Sequence, residues 1–268
     1  MIAICPNPYR DRDLVCTKRA EKILREAGFE SRRCPVFDNF DLKEGIVDAA
    51  GVLVLGGDGT ILSVVRALHG KETPILGVNL GTVGFMTALE PDELERIPEA
   101  FRSDAPVSSR MMLDVSLIRG GESILQDTAL NDIVIHGYGE CIRPTAWAEE
   151  KKMFSFSGDG LIVATPTGST GYSMSAGGPI VEPDARAVLL TPICAHTLSA
   201  KPFVLSPRNH VRILTEKLTG RRAYLAVDGF SVADLENGDL LEITQSSHNV
   251  KMIELSRRNF FEQLEKLV

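Results

Sequence analysis

Val52-Leu53-Val54-Leu55-Gly56-Gly57-Asp58-Gly59-Thr60-Ile61-Leu62-Ser63-Val64-Val65-Arg66 decides the fold. Four apolar residues predict a strand buried on both faces. The glycine-rich segment 56–60 predicts a tight turn, and the spacing after it predicts a helix over residues 60–68. Glycines let main-chain N–H groups approach an anion closely, and a helix N-terminus adds positive potential. Phosphate is the usual anion in such a place. An aspartate at the centre of the turn repels phosphate, so it needs another reason. It suits an acid that holds a metal ion or takes a proton from an attacking hydroxyl. The loop therefore points to phosphoryl transfer.

Outward from this stretch, strands alternate with helices. Residues 2–5 and 74–78 read as strands, residues 14–27 as an amphipathic helix ending at Gly28, and residues 91–101 as a helix with acids in its first turn. The alternation predicts a parallel, Rossmann-like sheet with helices on both faces and ligands at the C-terminal strand ends. Both 56–60 and 79–84 fall there.

After about residue 110 helical periodicity nearly vanishes. Short β-rich runs follow at 113–118, 123–128, 132–136, 161–164, 188–190, 210–214, 224–227, 240–243 and 251–255, with turn signals at Arg119-Gly120-Gly121 and Asn237-Gly238-Asp239. This predicts an all-β, sandwich-like domain. Phe260, Phe261, Leu264 and Leu267 read as one face of a C-terminal helix that packs back on the first domain. The expected organisation is an α/β domain over 1–108, a β-rich domain over 109–255 and the returning helix over 256–268.

The 268 residues carry a net charge of −7 and 44% hydrophobic residues. That allows a sizeable core and argues against a nucleic-acid binder working through a general basic surface. The five cysteines form no C-x-x-C pair, so packed, reduced thiols in a cytoplasmic protein are expected rather than a zinc site or disulfide framework. Met1-Ile2-Ala3-Ile4-Cys5-Pro6 reads as a first strand rather than a secretory leader, and no apolar run reaches the ~18 residues of a transmembrane helix.

A second block, Ser157-Gly158-Asp159-Gly160-Leu161-Ile162-Val163-Ala164-Thr165-Pro166-Thr167-Gly168-Ser169-Thr170-Gly171-Tyr172-Ser173, is dense in glycines and hydroxyls. It suits either a polar pocket floor for a sugar or base, or tight turns between strands. Asn131-Asp132, before an apolar strand, has a cap or turn as its default role.

GGDGT at 56–60, NLGTVGFM at 79–86, ND at 131–132 and DGLIVATPTGSTGYSMSAGGPIV at 159–181 resemble, in order, the NAD kinase family, with a weaker echo in PICAHTLSAKP at 192–202. The resemblance implies an N-terminal α/β domain, a C-terminal β-sandwich-like domain that binds NAD, and transfer of the ATP γ-phosphate to the adenosine-ribose 2′-hydroxyl of NAD+. It implies that Asp58 is the proton acceptor and also touches NAD with Gly59. Gly56, Gly57, Gly59 and Thr60 then surround the ATP phosphates. Asn131 and Asp132 contact NAD, Asp159 lies near its nicotinamide side, and Thr167, Thr170, Gly171, Tyr172, Ser173 and Ser175 line its pocket. Mg²⁺ is expected to arrive with ATP, with no metal ligands from the chain. The implied partners are NAD+ and ATP (or polyphosphate) and further copies of the chain in a homodimer or homotetramer, with no nucleic acid and no membrane.

Several positions depart from the family's common pattern. Ser63 and Ser157 stand where basic residues are frequent, which removes cations near the ligand. Gly171 replaces a usual alanine, Lys201 a common arginine, and Phe230 a glutamine after Asp228-Gly229. Two other functions fit parts of the sequence. A lipid kinase would share the GGDGT chemistry but needs an apolar acceptor groove or a membrane-facing surface. A non-catalytic nucleotide sensor would bind without making ADP.

Overall fold

Alternation of apolar strands and amphipathic helices builds the first of two compact units, which comprises Met1–Arg110 and His248–Val268. The structure is a computed structural model that describes residues 1–37, 41–82, 84–216, 218, 220–256 and 259–265. The chain runs β1 (Ile2–Pro6), α1 (Val15–Glu26), β2 (Ser31–Arg33), α2 (Leu42–Ile46), β3 (Gly51–Gly56), α3 (Asp58–Leu68), β4 (Ile75–Asn79) and α4 (Ile97–Ala100). The strands form a parallel sheet in the order β2-β1-β3-β4. Every residue of β1, β3 and β4 is buried, as expected of central parallel strands.

α3 begins two residues earlier than the periodicity predicts. Gly57 is its extended N-cap, which puts Asp58 in the first turn. Ile61, Val64, Val65 and Leu68 form its buried stripe. The helix expected over 91–101 is instead a 3-10 turn, Pro91–Arg96, followed by α4, whose second residue is Pro98. A capping box between Glu90 and Glu93 starts it.

The second unit, Met111–Ser247, is antiparallel. Its strands come from β5 (Val107–Arg119), β6 (Glu122–Ala129), β7 (Asp132–Gly137), β8 (Arg143–Ala148), β9 (Lys151–Ser155), β10 (Gly160–Ala164), β11 (Val188–Ile193), β12 (Phe203–Leu205), β13 (Val211–Glu216), β14 (Ala223–Val227), β15 (Phe230–Leu235) and β16 (Leu240–Ile253). One sheet has the order β12-β11-β10-β7-β14-β15. In the other, β13 lies between β8 and β16, and β6 pairs with β5. Ile133, Ile135, Leu161, Val163, Leu225 and Val227 of the first sheet share a core with Val115, Leu117, Ala146, Val211, Ile213 and Leu241 of the second. The only α-helix here among the described residues is the single turn α5 (Tyr172–Ser175).

β16 corrects the expectation of separate strands at 240–243 and 251–255. Its polar middle keeps the extended backbone and turns Ser246 inward, where it is buried. β8, β9, β12 and β15 were not expected. Pro144, Lys151 and Lys152 hid β8 and β9, while β12 and β15 are sheet edges with exposed residues.

The chain closes with α6 (Phe260–Leu264), capped by Asn259 and Glu262, which bond each other's main-chain N–H at 2.9 and 3.0 Å. Phe260 sits 6.5 Å from Phe85 of the first unit, ring centre to ring centre, so the helix does pack back on that unit. Phe261 does not share that face. It is 62% exposed, because neighbouring helical positions point about 100° apart. Leu267 lies outside the described residues. Among the described residues no helix is long and apolar enough to cross a membrane.

Candidate active site

In the first unit the sheet changes direction of winding between β1 and β3, the place where open α/β sheets bind ligands. Asn7, just past β1, donates from its amide N–H to the main-chain carbonyl of Leu55 and from its side chain to Thr60 Oγ1 at 3.0 Å. Thr60 is thereby buried and committed to the scaffold. A Cβ on Gly56 would lie 2.4 Å from Thr60 Oγ1, so this turn of the loop admits no side chain at Gly56. Gly57 faces Gly81 of the next loop, whose Cβ would lie 3.4 Å from the Gly57 Cα. The two glycine-rich segments expected at strand ends are therefore in contact.

Asp58 does not cap its own helix. Its Oδ1 accepts the N–H of Met86 at 2.9 Å and its Oδ2 the N–H of Phe85 at 3.1 Å. Gly84 makes this possible with a φ of +74°, and a Cβ there would strike Thr87 and Asn79. Asn79 braces the loop by accepting from Gly81 N–H and donating to Glu90. Burial pushes the Asp58 carboxyl above the usual carboxylate range, and the Met86 and Phe85 N–H groups oppose that rise. The side chain remains partly open to solvent, and Gly59 beside it is exposed. A half-buried carboxylate with raised basicity at a glycine-lined helix start can accept a proton.

The second unit gathers the other expected residues around the start of β7. Asn131 carbonyl accepts the N–H of Thr165 at 2.9 Å, and Gly168 lies against it so closely that a Cβ would fall 2.1 Å from the Asn131 oxygen. Asn131 Oδ1 and Thr167 Oγ1 are buried without a hydrogen-bond partner among the described residues. Buried polar atoms of that kind are completed by ordered water or by a ligand. Asp132 is 6% exposed, and burial, then the charge of Asp228, raises its pKa to about 7. Tyr172 is half exposed. Burial raises its hydroxyl first, followed by Tyr224, Cys194, Asp159 and Asp132, so it faces the same acidic neighbourhood. Asp159 also bonds the exposed thiol of Cys194 and pushes it up.

The remaining expected residues divide. Thr170 bonds back to the Thr167 carbonyl at 3.4 Å, and Gly171 is partly buried. Ser175 is exposed. Ser173 is fully buried, with its hydroxyl 2.8 Å from that of Thr191. Asn7, Phe85 and Met86 were not expected as site groups. Asn7 is visible only as a polar residue after the first strand, and the other two act through main-chain N–H groups that no side chain advertises. Asp228, two residues before Phe230, was not expected there either, yet it contacts the start of β7 directly.

Residues 18–104 match the ATP-NAD kinase N-terminal domain and residues 130–255 the ATP-NAD kinase C-terminal domain. The chain belongs to the NAD kinase family. It is 40% identical over 213 residues to the NAD kinase of Trichlorobacter lovleyi, covering 78% of this chain and 75% of that one. It is 34% identical to the NAD kinase of Ruminiclostridium cellulolyticum over 278 residues, covering 100% of this chain and 97% of that one. The crystal structure of an NAD kinase from Archaeoglobus fulgidus in complex with ATP superimposes with a TM-score of 0.81 at 26% identity, covering 99% of each chain. Yeast NADH kinase complexed with NADH shares the fold, with a TM-score of 0.87 at 24% identity over 99% of this chain and 86% of that one. These relatives support NAD kinase function and mark the chain as a kinase.

Proposed function

We propose that the chain transfers the γ-phosphate of ATP to the adenosine-ribose 2′-hydroxyl of NAD+, giving NADP+ and ADP, with Asp58 as the proton acceptor. The observation that carries this is the Asp58 carboxylate at the start of α3, oriented by the Met86 and Phe85 N–H groups and raised in basicity by burial. A ribose hydroxyl is a poor nucleophile until its proton leaves. General-base help of this kind is worth roughly 10²–10⁴-fold. Gly56, Gly57 and Gly59 are assigned to the ATP phosphates, in keeping with anion binding at helix N-termini, while Thr60, whose N–H bonds the Gly57 carbonyl and whose hydroxyl accepts from Asn7, holds the loop in shape. The ATP in the Archaeoglobus structure favours ATP over polyphosphate as donor. Mg²⁺ binds phosphate oxygens while keeping several waters, so it is read as part of the ATP substrate.

Asn131 and Asp132 are assigned to NAD+, with Asp159, Thr167, Thr170, Gly171 and Tyr172 around it. The unpartnered Asn131 Oδ1 and Thr167 Oγ1 support this assignment. Ser173, bonded to Thr191, supports the pocket from behind. Five free cysteines fit a reducing, cytoplasmic setting. The edge strands β12 and β15 favour pairing of copies into a homodimer or homotetramer.

The test is incubation with Mg²⁺-ATP and NAD+, reading NADP+ with an NADP-specific dehydrogenase. NADP+ formation that disappears in Asp58→Asn is the expected result. Binding of NAD+ without NADP+ or ADP formation would move the chain to the sensor reading.

A further inference from the structure

The Asp228 side chain is directed away from solvent, with 8% of the residue exposed, and its φ of +49° lies in the left-handed region. Few residues other than glycine sustain that backbone, and aspartate and asparagine are among those that do. The turn aims the carboxylate at three consecutive main-chain N–H groups. Leu130 N–H donates to Oδ2 at 2.8 Å, Asn131 N–H to Oδ1 at 2.6 Å and Asp132 N–H to Oδ1 at 3.1 Å. Asp228 N–H returns a bond to the Asp132 carbonyl at 2.9 Å. Successive N–H groups converging on one point make an anion nest, and here the anion is part of the chain.

We infer that Asp228 is a positioning residue for dinucleotide binding, fixing the Asn131-Asp132 corner through these three N–H groups. This rests on the assignment of Asn131 and Asp132 to NAD+. The Asp228 carboxylate meets all three donors, and burial makes unsatisfied donors unfavourable. The effect extends beyond the corner. Asn131 carbonyl holds Thr165 N–H, Thr165 Oγ1 bonds the Leu130 carbonyl and the Gly168 N–H, and Gly168 rests on Asn131. The carboxylate of Asp228 thus sets the positions of both unpartnered atoms, Asn131 Oδ1 and Thr167 Oγ1. Asp228 itself has no role as an acid or base here, because its oxygens are taken by main-chain donors.

Steady-state kinetics of the full chain with NAD+ and ATP varied separately test this, on Asp228→Asn, Asp228→Ala and Asp132→Asn. Asparagine keeps the left-handed backbone and one acceptor oxygen but presents an NH₂ to at least one donor. Asp228→Asn is expected to raise the KM for NAD+ roughly tenfold, the equivalent of one charge-assisted bond, with the KM for ATP within about twofold. Asp228→Ala should raise it further. A purely structural role would reduce the active fraction, and so kcat, while leaving both KM values in place; that result overturns the inference. A raised KM for NAD+ in Asp132→Asn with an unchanged one in Asp228→Asn overturns the role of Asp228 alone. Unchanged values in both overturn the assignment of the corner to NAD+. Should the Asp228 variants fail to fold, amide exchange on the parent decides. Slow exchange at residues 130–132 without ligand supports the clamp, and exchange as fast as in exposed loops overturns it.

Discussion

Asp58 in the first unit and Asp228 in the second are both gripped by consecutive main-chain N–H groups, yet the two grips have opposite consequences. Asp58 receives two donors from a neighbouring loop and keeps part of its carboxylate open. Asp228 receives three and is buried. Burial raises both carboxyls above their ordinary range, and the donated N–H groups hold both back. Asp132 shows what happens without them. Among the described residues no hydrogen bond reaches its carboxyl, and burial beside Asp228 lifts it to about 7. Two donors and an open side leave an acid that can take a proton. Three donors and no opening leave a structural anion.

The sharpest way to break this contrast is Asp58→Asn. The variant should fold and lose at least about a hundredfold in kcat, read as NADP+ formation. Turnover like the parent's would place Asp58 with Asp228 as scaffold.

Asp132→Asn addresses stability. A carboxyl with a raised folded pKa holds its proton more tightly when folded. Folding is therefore favoured while that proton stays on, and stability falls as pH rises from the unfolded pKa of about 3.9 towards about 7. Removing the carboxyl removes that dependence. The variant's stability relative to the parent should rise across this window by at most about 4 kcal/mol, measured by denaturant unfolding at pH 4.5 and 8. A difference that does not change with pH would show that Asp132 titrates normally.

Gly168→Ala pushes a Cβ onto the carbonyl of Asn131, the residue whose N–H Asp228 accepts. A loss of about 1–3 kcal/mol in unfolding free energy is expected, together with weaker NAD+ binding by calorimetry. Normal affinity would show that the corner tolerates displacement.

Ser173→Ala is the smallest effect. It strands the Thr191 hydroxyl and should lower stability by about 1 kcal/mol with the KM for NAD+ unchanged. A raised KM would return Ser173 to the pocket lining.

Much of the first unit was legible because its chemistry is local. Residues 52–60 carry strand, turn and helix start within one continuous segment, and within that segment only the first turn of α3 was misplaced, since Gly57 takes the cap. The second unit was less so. Strands β8 and β9 contain Pro144, Lys151 and Lys152, and are strands because neighbours pair with them rather than through their own pattern. β16 was read as two strands because its polar centre is compatible with either a turn or an extended chain.

By itself the sequence determined the change from alternating strands and helices to a β-rich second half, the glycine-rich turn around Asp58 and the family, because each depends on residues close together in the chain. Tertiary structure alone decided which donors hold each acid. The donors on Asp58 come from residues 85 and 86, and those on Asp228 from residues 130–132. These are main-chain N–H groups, the same on nearly every residue, so the sequence carries no mark of which ones will meet a carboxylate. Only folding brings them together, and their number and the remaining opening to water separate a candidate base from a structural anion.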